Sequence, residues 1–485
     1  MTYNFREPVL GAFQVYDLNG AAMGLAVSQT SASFLPGVAG WSALSYIAGN
    51  QAWHAGNLSG LSTDYFKAEV VFDASLNKML AVFSNNTDSF KFFGVEGSST
   101  TFSDFTWPDS IDSTSASKGL ASINDRLFLF NTLSSTGTRY PTRAMWSARG
   151  SPRNFLIASG AGAEDLMDMK GEGTGVIRYR DFLLLFTELE IWRATPTFDD
   201  YAFRFDRVID ATGTRWVNTI ATTPQGVIWL DHDYEVYVTD GYGVRALGPI
   251  DGQGPSRIQR KLQDEMLSPS RAWGLYNHTK NRYELYYTAS DSPGGYPSRA
   301  LFYDFADQTW WPQRFPFGLS VGADLLDVAT FVSWDDVADS WDATTAAWDD
   351  FDVAQGNRRV NVFESNGTNL RFFSAQTSDA GTAIDVRWRS GGLGAGTRAV
   401  HLKEIWVEHE TNSASSVSVW VGDARRGDSF GSPVASSLST SNDMQFIPTW
   451  LTDRRPAFEL RLNDGGQPRI ASFYATLQDA SRFHR

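Results

Sequence analysis

The chain has 485 residues, 42% of them hydrophobic and 14% aromatic, which is ample material for a large core and argues against disorder. It contains no cysteine, so disulfide frameworks and thiolate metal sites are excluded. A formal net charge of -14 argues against a protein that grips phosphate backbones, because Lys and Arg supply that affinity. An acidic wall could still let DNA slide past without holding it.

The opening residues MTYNFREPVL have no basic n-region and no apolar h-region, so no secretory signal is expected. No stretch approaches the roughly 18 consecutive apolar residues of a membrane span. Residues 1–35 are poor in charge and rich in Gly, Ala and Ser. They read either as an arm that wraps a neighbour or as a ring-closing segment.

From residue 36 to about 380 the pattern is short β-branched and aromatic runs broken by Gly, Asn, Asp and Ser, which is the signature of antiparallel hairpins. One unit recurs, a turn, a strand, a second turn and another strand. Its openings are Asn77 (NKMLAVFS), Asn124 (NDRLFLFNT), Arg180 (RDFLLLFTELEIWRAT), Gln225 (QGVIWLDHDYEVYVTDG), Asn281 (NRYELYYTAS) and Asn357 (NRRVNVFES). They lie 47, 56, 45, 56 and 76 residues apart. A period near 50 is that of a β-propeller blade, so the expected fold is an all-β propeller of about six blades. A β-sandwich array is the structural alternative.

One segment reads as a helix. After Pro255 and Ser256, Ile258, Leu262 and Met266 recur every four residues on one face. Arg257, Arg260 and Lys261 fall off that face and are candidates for docking a partner. The plainer reading is a short helix packed on a blade edge.

The long last interval contains SWDDVADSWDATTAAWDDFD at 333–352, where Trp334, Trp341 and Trp348 are each followed by an aspartate. No Lys or Arg occurs from Phe315 to Asn357. Asp and Thr are poor helix formers and no second apolar position is kept, so a heptad helix does not fit. The D-x-[DN]-x-[DN]-G spacing of a calcium loop is missing. The run reads as an inter-blade insertion whose tryptophans anchor a strap, either on its own chain or on a neighbouring subunit. Residues 381–485 form alternating strands such as KEIWVEHE, SVSVWVGD and AFELRLND between Gly/Ser-rich loops, and read as a separate β-sandwich-like domain.

The search for chemistry yields little. None of the six histidines sits in a metal-binding motif. Asp231-His232-Asp233 falls at a hairpin turn, where Asp is favoured for local reasons. Gly171-Glu-Gly-Thr-Gly175 lacks the GK[ST] ending and following helix of a phosphate loop. No GxSxG elbow is present. The pairs Asp335/Asp336 and Asp349/Asp350 supply carboxylates, but neighbours on a polar loop rarely reach the ~5–9 Å opposed geometry of a glycosidase. The residues therefore predict no catalytic site, no metal and no enzyme.

From about Asn124 onward the chain resembles a phage family. NDRLFLFNT, PTRAMWSARGSPRNF, RDFLLLFTELEIWRAT, YAFRFDRV, TPQGVIWLDHDYEVYVTDG and ALGPI occur in that order. They are similar to the β-propeller tail nozzle, or tail-tube hub, proteins of short-tailed bacteriophages. The WDD run and the C-terminal β-domain fit the same family. The resemblance implies a structural virion protein of the tail, made in the host cytoplasm and needing no cofactor. It implies a homohexameric ring below portal and adaptor proteins and above needle, fibre or tailspike proteins. Such a ring extends the DNA channel, retains the genome and passes double-stranded DNA without reading its sequence. A propeller that binds or degrades carbohydrate is the competing expectation.

Overall fold

The computed structural model describes the strands between residues 9 and 35, residues 63–95, 102–104, 114–197, 202–248, 254–327 and 357–365, and strands from 370 to 479. Contacts divide the chain into two compact units, Met1–Phe373 and Ser374–Arg485. No helix among the described residues is long and apolar enough to cross a membrane.

The first unit is a β-propeller. Its strands fall into seven antiparallel meanders, five of four strands and two of three. The first strand of each is β1 (Val9–Tyr16), β2 (Lys67–Asp73), β3 (Thr114–Ile123), β4 (Gly173–Tyr179), β5 (Ala221–Thr223), β6 (Trp273–Asn277) and β7 (Leu319–Asp327). Each packs beside the next in this order, and β7 packs beside β1, so these seven strands form a closed inner ring. The six units legible in the sequence are the second to seventh blades. The first blade, residues 9–35, was not counted among them, although Asn19-Gly20 stands in the sequence between its first two strands.

Local chemistry explains the hairpins. Asn77, Asn124, Asp125 and Asn281 all have left-handed backbones, with φ of 51°, 49°, 58° and 48°. Asn and Asp tolerate that region better than other side chains with a Cβ. Asn124 and Asp125 form a two-residue turn, since Ile123 pairs directly with Arg126. At Gly226 (φ 150°) a Cβ would lie 2.3 Å from the Thr239 carbonyl oxygen, so only glycine fits.

The second strand of a blade is covered by blades on both faces. This is why FLLLFT at Phe182–Thr187 and GVIWL at Gly226–Leu230 are buried throughout instead of alternating. Apolar clusters fill the wedges between blades. Leu80, Val82, Leu127 and Leu129 join the second and third, and Phe128, Phe130, Leu183 and Leu185 the third and fourth. Phe186 and Trp229 meet edge-to-face at 5.4 Å between the fourth and fifth. Val9, Leu25, Val321 and Val362 close the ring between the seventh and first.

The helix α1 (Arg257–Glu265) is capped by Ser256, whose side chain accepts from the Gln259 amide. Ile258, Leu262 and Met266 enter the core of the fifth and sixth blades.

Besides a short pair, Ser378–Asp379 with Thr382–Ala383, the second unit holds two larger sheets, one ordered Val386–Arg389, Pro456–Leu462, Val417–Asp423, Pro433–Ala435 and the other Met444–Asp453, Val400–Glu410, Arg469–Asp479. Leu402, Ile405, Val407, Val419, Ile447, Phe458 and Leu460 form one core shared by both, which makes it sandwich-like.

Candidate functional site in the ring interior

Strand β2 has the sequence KAEVVFD. Alternation places Lys67, Glu69, Val71 and Asp73 on one face. Val71 packs with Leu120 of β3, so this face turns toward the third blade, whereas Ala68 and Val70 pack toward the first. Two ionisable groups are thereby carried into the ring interior, about 7 Å apart along the strand.

Glu69 accepts a hydrogen bond from the Ser122 hydroxyl of β3 at 3.0 Å. Burial pushes its carboxyl up to about 7, despite the opposing pull of Ser122 and of Arg178 on β4. Lys67 donates from Nζ to the carbonyl of Val217 at 3.5 Å. Burial pushes its amine down to about 8. Both side chains keep partial exposure, yet the surrounding blades are close enough for desolvation to dominate their ionisation.

Val217 belongs to a 3-10 turn, Val217–Thr219, that leads into β5. In a ring of seven, the fifth and sixth blades stand opposite the second, so the bond from Lys67 crosses the axis. A second crossing lies beside it, where the Tyr65 hydroxyl donates to the carbonyl of Arg271 just before β6, at 3.2 Å. The turn is itself fixed. Tyr283 donates to the Thr219 carbonyl at 2.7 Å, and the Leu230 amide donates to the Thr219 hydroxyl at 3.1 Å. Gly175 makes room for it, since a Cβ there would lie 2.1 Å from Val217 Cγ2. The mouth at which the inner strands begin is therefore bridged by the chain itself.

Other inner-strand carboxylates with described side chains are engaged. Asp73 receives Arg153 Nε at 2.8 Å and the Ser75 hydroxyl at 2.5 Å. Asp324 contacts His278 Nδ1 at 2.5 Å. Glu69 is thus a carboxyl that can hold a proton at neutral pH.

Asp231, His232 and Asp233 bring one ligand atom each within 4.8 Å of one another, in the loop before Val236–Thr239. His232 Nδ1 lies 2.7 Å from Asp231 Oδ1, which also accepts from the Gly213 amide at 3.3 Å. Burial raises the Asp231 carboxyl. Gly173 and Gly175 lie in strand β4 rather than in a phosphate loop.

Lys261 of the proposed docking set is held by Glu265 at 2.5 Å, and Glu265 also accepts from Tyr287 and Arg299. Arg260 Nε turns back to the Ser256 carbonyl at 3.5 Å, and Arg257 is exposed. Trp334, Trp341 and Trp348, with the 333–352 run, lie outside the described residues. Sequence reasoning missed Lys67 and Glu69, because Lys-x-Glu on a strand reads like an ordinary solvated face.

No family model matches this chain, and no curated protein matches it. Solved structures do. A variant of exo-β-1,3-galactanase from Phanerochaete chrysosporium with β-1,3-galactotriose matches at 9% identity and a TM-score of 0.31, covering 87% of this chain and 97% of that one. A second variant of the same galactanase matches at 8% and 0.28, over 84% and 95%. A fungal alcohol oxidase of the AA5 family in complex with copper matches at 9% and 0.38, over 98% of each chain.

These structures are of enzymes, and the expectation that this chain is not an enzyme is corrected accordingly. At this identity the names give the chain neither a substrate nor an activity.

Proposed function

We propose that the protein is a nozzle subunit of a short phage tail. Copies form a ring that extends the DNA channel below portal and adaptor proteins, retains the genome and releases it into the host. The observation that carries the reading is where the family-like segments fall. NDRLFLFNT, RDFLLLFTELEIWRAT and TPQGVIWLDHDYEVYVTDG supply the second strands of the third, fourth and fifth blades in succession, and the latter two also the third strands. The bridged axis supports one further point. Lys67 and Tyr65 reach the opposite blades, so a DNA lumen lies between copies and not through a single propeller.

The test is immunogold electron microscopy of particles from the source culture, with native mass spectrometry of the purified chain. Gold at the tail vertex and a sixfold assembly are expected. A soluble monomer absent from particles would sink the reading.

Glu69 favours a second reading, a propeller acting on glycans, because a carboxyl poised near neutral pH suits a general acid. Turnover on a panel of surface polysaccharides, lost in Glu69→Gln, would move the assignment there.

A further inference from the structure

We propose that the loop 231–233 is a site for a divalent transition metal, with His232 Nε2 and the Asp233 carboxylate as ligands and Asp231 holding the imidazole from behind. The geometry carries the proposal. His232 Nδ1 lies 2.7 Å from Asp231 Oδ1, and across the ring Nε2 lies 3.5 Å from Asp233 Oδ1. With the Nδ1 proton donated to Asp231, Nε2 keeps its lone pair. Two atoms bonded to one metal at about 2.0–2.2 Å stand roughly 3–3.5 Å apart, so Nε2 and Asp233 Oδ1 have the spacing of a chelating pair. A carboxylate behind a metal-bound imidazole fixes its tautomer and raises its basicity.

A second observation is electrostatic and independent of that spacing. Buried carboxylates elsewhere in the protein face a guanidinium. Asp73 faces Arg153, Glu190 faces Arg207, Glu284 faces Arg282 and Glu459 faces Arg461. Asp231 is as deeply buried, with 2% of its side chain exposed, and Glu235 is buried two residues past the loop. Among the described residues no Lys or Arg pairs with Asp231, Asp233 or Glu235. A buried charge is paired or coordinates a metal, and one imidazole stands among these three carboxylates. A bound cation supplies the positive charge that arginine supplies at the other buried carboxylates.

The loop is held from both sides. Asp231 Oδ1 accepts from the Gly213 amide at 3.3 Å, and Gln259 and Gln263 of α1 donate to the Asp233 carbonyl at 3.0 and 3.1 Å. The Tyr234 ring packs on Trp216 at 5.1 Å. The Asp233 side chain is exposed, which gives an ion access and leaves its remaining positions to water. An imidazole with a carboxylate suits Zn2+ and its neighbours, whereas Ca2+ prefers oxygen ligands throughout.

The test is calorimetric titration of the full chain, stripped by a chelator, with ZnCl2 and separately with CaCl2. One Zn2+ per chain is expected. Asp231→Asn should weaken it by about 10–100-fold, the cost of losing the group behind a ligating imidazole. His232→Ala and Asp233→Asn should abolish it, and His278→Ala, which removes an imidazole from another loop, should bind as the wild type does. Asp233→Asn changes an exposed side chain, so it reads the site even where His232→Ala fails to fold. Absence of saturable Zn2+ binding, or binding undiminished in Asp233→Asn, would overturn the proposal. Ca2+ binding equal to Zn2+ and retained in His232→Ala would overturn the imidazole as a ligand. None of these outcomes depends on the tail or glycan reading.

Discussion

Lys67 Nζ and the Val217 carbonyl meet at 3.5 Å although 150 residues separate them, because the second and fifth blades face each other across the ring. Val217 is in turn packed on Gly175 of β4. One small turn thus ties three blades together at one mouth of the propeller, and four experiments probe that arrangement and the wedges around it.

Gly175→Ala is expected to destabilise the protein, since the new methyl would overlap Val217 Cγ2. Overpacking of this kind costs about 1–3 kcal/mol. Val217→Ala should rescue it in part, so that the double variant is more stable than the sum of the two single losses. Denaturant midpoints of all four proteins give the coupling. Strict additivity would mean that the two residues do not share the space.

Glu69→Gln is expected to stabilise the protein above pH 7 and to have no effect near pH 4. The sign follows from linkage. The folded carboxyl is raised to about 7, so folding binds a proton that the unfolded chain gives up at its ordinary lower value. Stability from that proton is complete below the unfolded value and is lost as pH rises through about 7. The amide keeps the hydrogen bond to Ser122 and carries no charge. A melting temperature higher by about 2–4 °C at pH 8 is the expected scale. Equal melting curves at pH 4 and 8 would show that the carboxyl is not penalised by burial.

Glu284→Ala is expected to be the most damaging of these changes. The carboxylate is completely buried and accepts from Arg282 Nε at 2.6 Å, the Tyr286 hydroxyl at 2.6 Å and Asn277 Nδ2 at 2.8 Å. Burial, reinforced by Glu284, lifts the Tyr286 phenol far above its ordinary value. Removing the shared acceptor strands three donors, and breaking such a buried pair costs about 3–5 kcal/mol. A loss under about 1 kcal/mol, measured by chemical denaturation, would contradict the cluster.

Asp73→Ala should lower stability at neutral pH and become harmless in acid. Burial raises this carboxyl, but the Ser75 hydroxyl and the Arg153 guanidinium outweigh it and hold it below the usual carboxylate range. A depressed value stabilises the fold above the unfolded value, and that contribution disappears as pH falls through the folded one. Arg153 lies in the third blade's connection, so the pair staples two blades. Melting curves from pH 7 downward should converge for wild type and variant, and parallel curves would rule out the ion pair as the source.

The C-terminal strands and the hairpins of the second to seventh blades were legible because their signals are local. An Asn or Asp at the turn selects a left-handed backbone, and an apolar run of five or six residues marks a strand covered on both faces. The face of α1 was legible for the same reason, with Ile258, Leu262 and Met266 spaced at one helical turn. The motif search failed at Lys67 and Glu69 for the converse reason. Nothing within KAEVVFD states what lies opposite.

Sequence by itself determined the strands, their turns and the alternation that puts Lys67, Glu69, Val71 and Asp73 on one side of β2, since each depends on a few neighbouring residues. Only the tertiary structure decided that this side faces the third blade and not water, that residues 9–35 complete a ring of seven, and that Val217 meets Lys67. Those outcomes rest on sheets brought together from 50 to 300 residues apart, where burial sets the ionisation of a side chain and no local pattern records it.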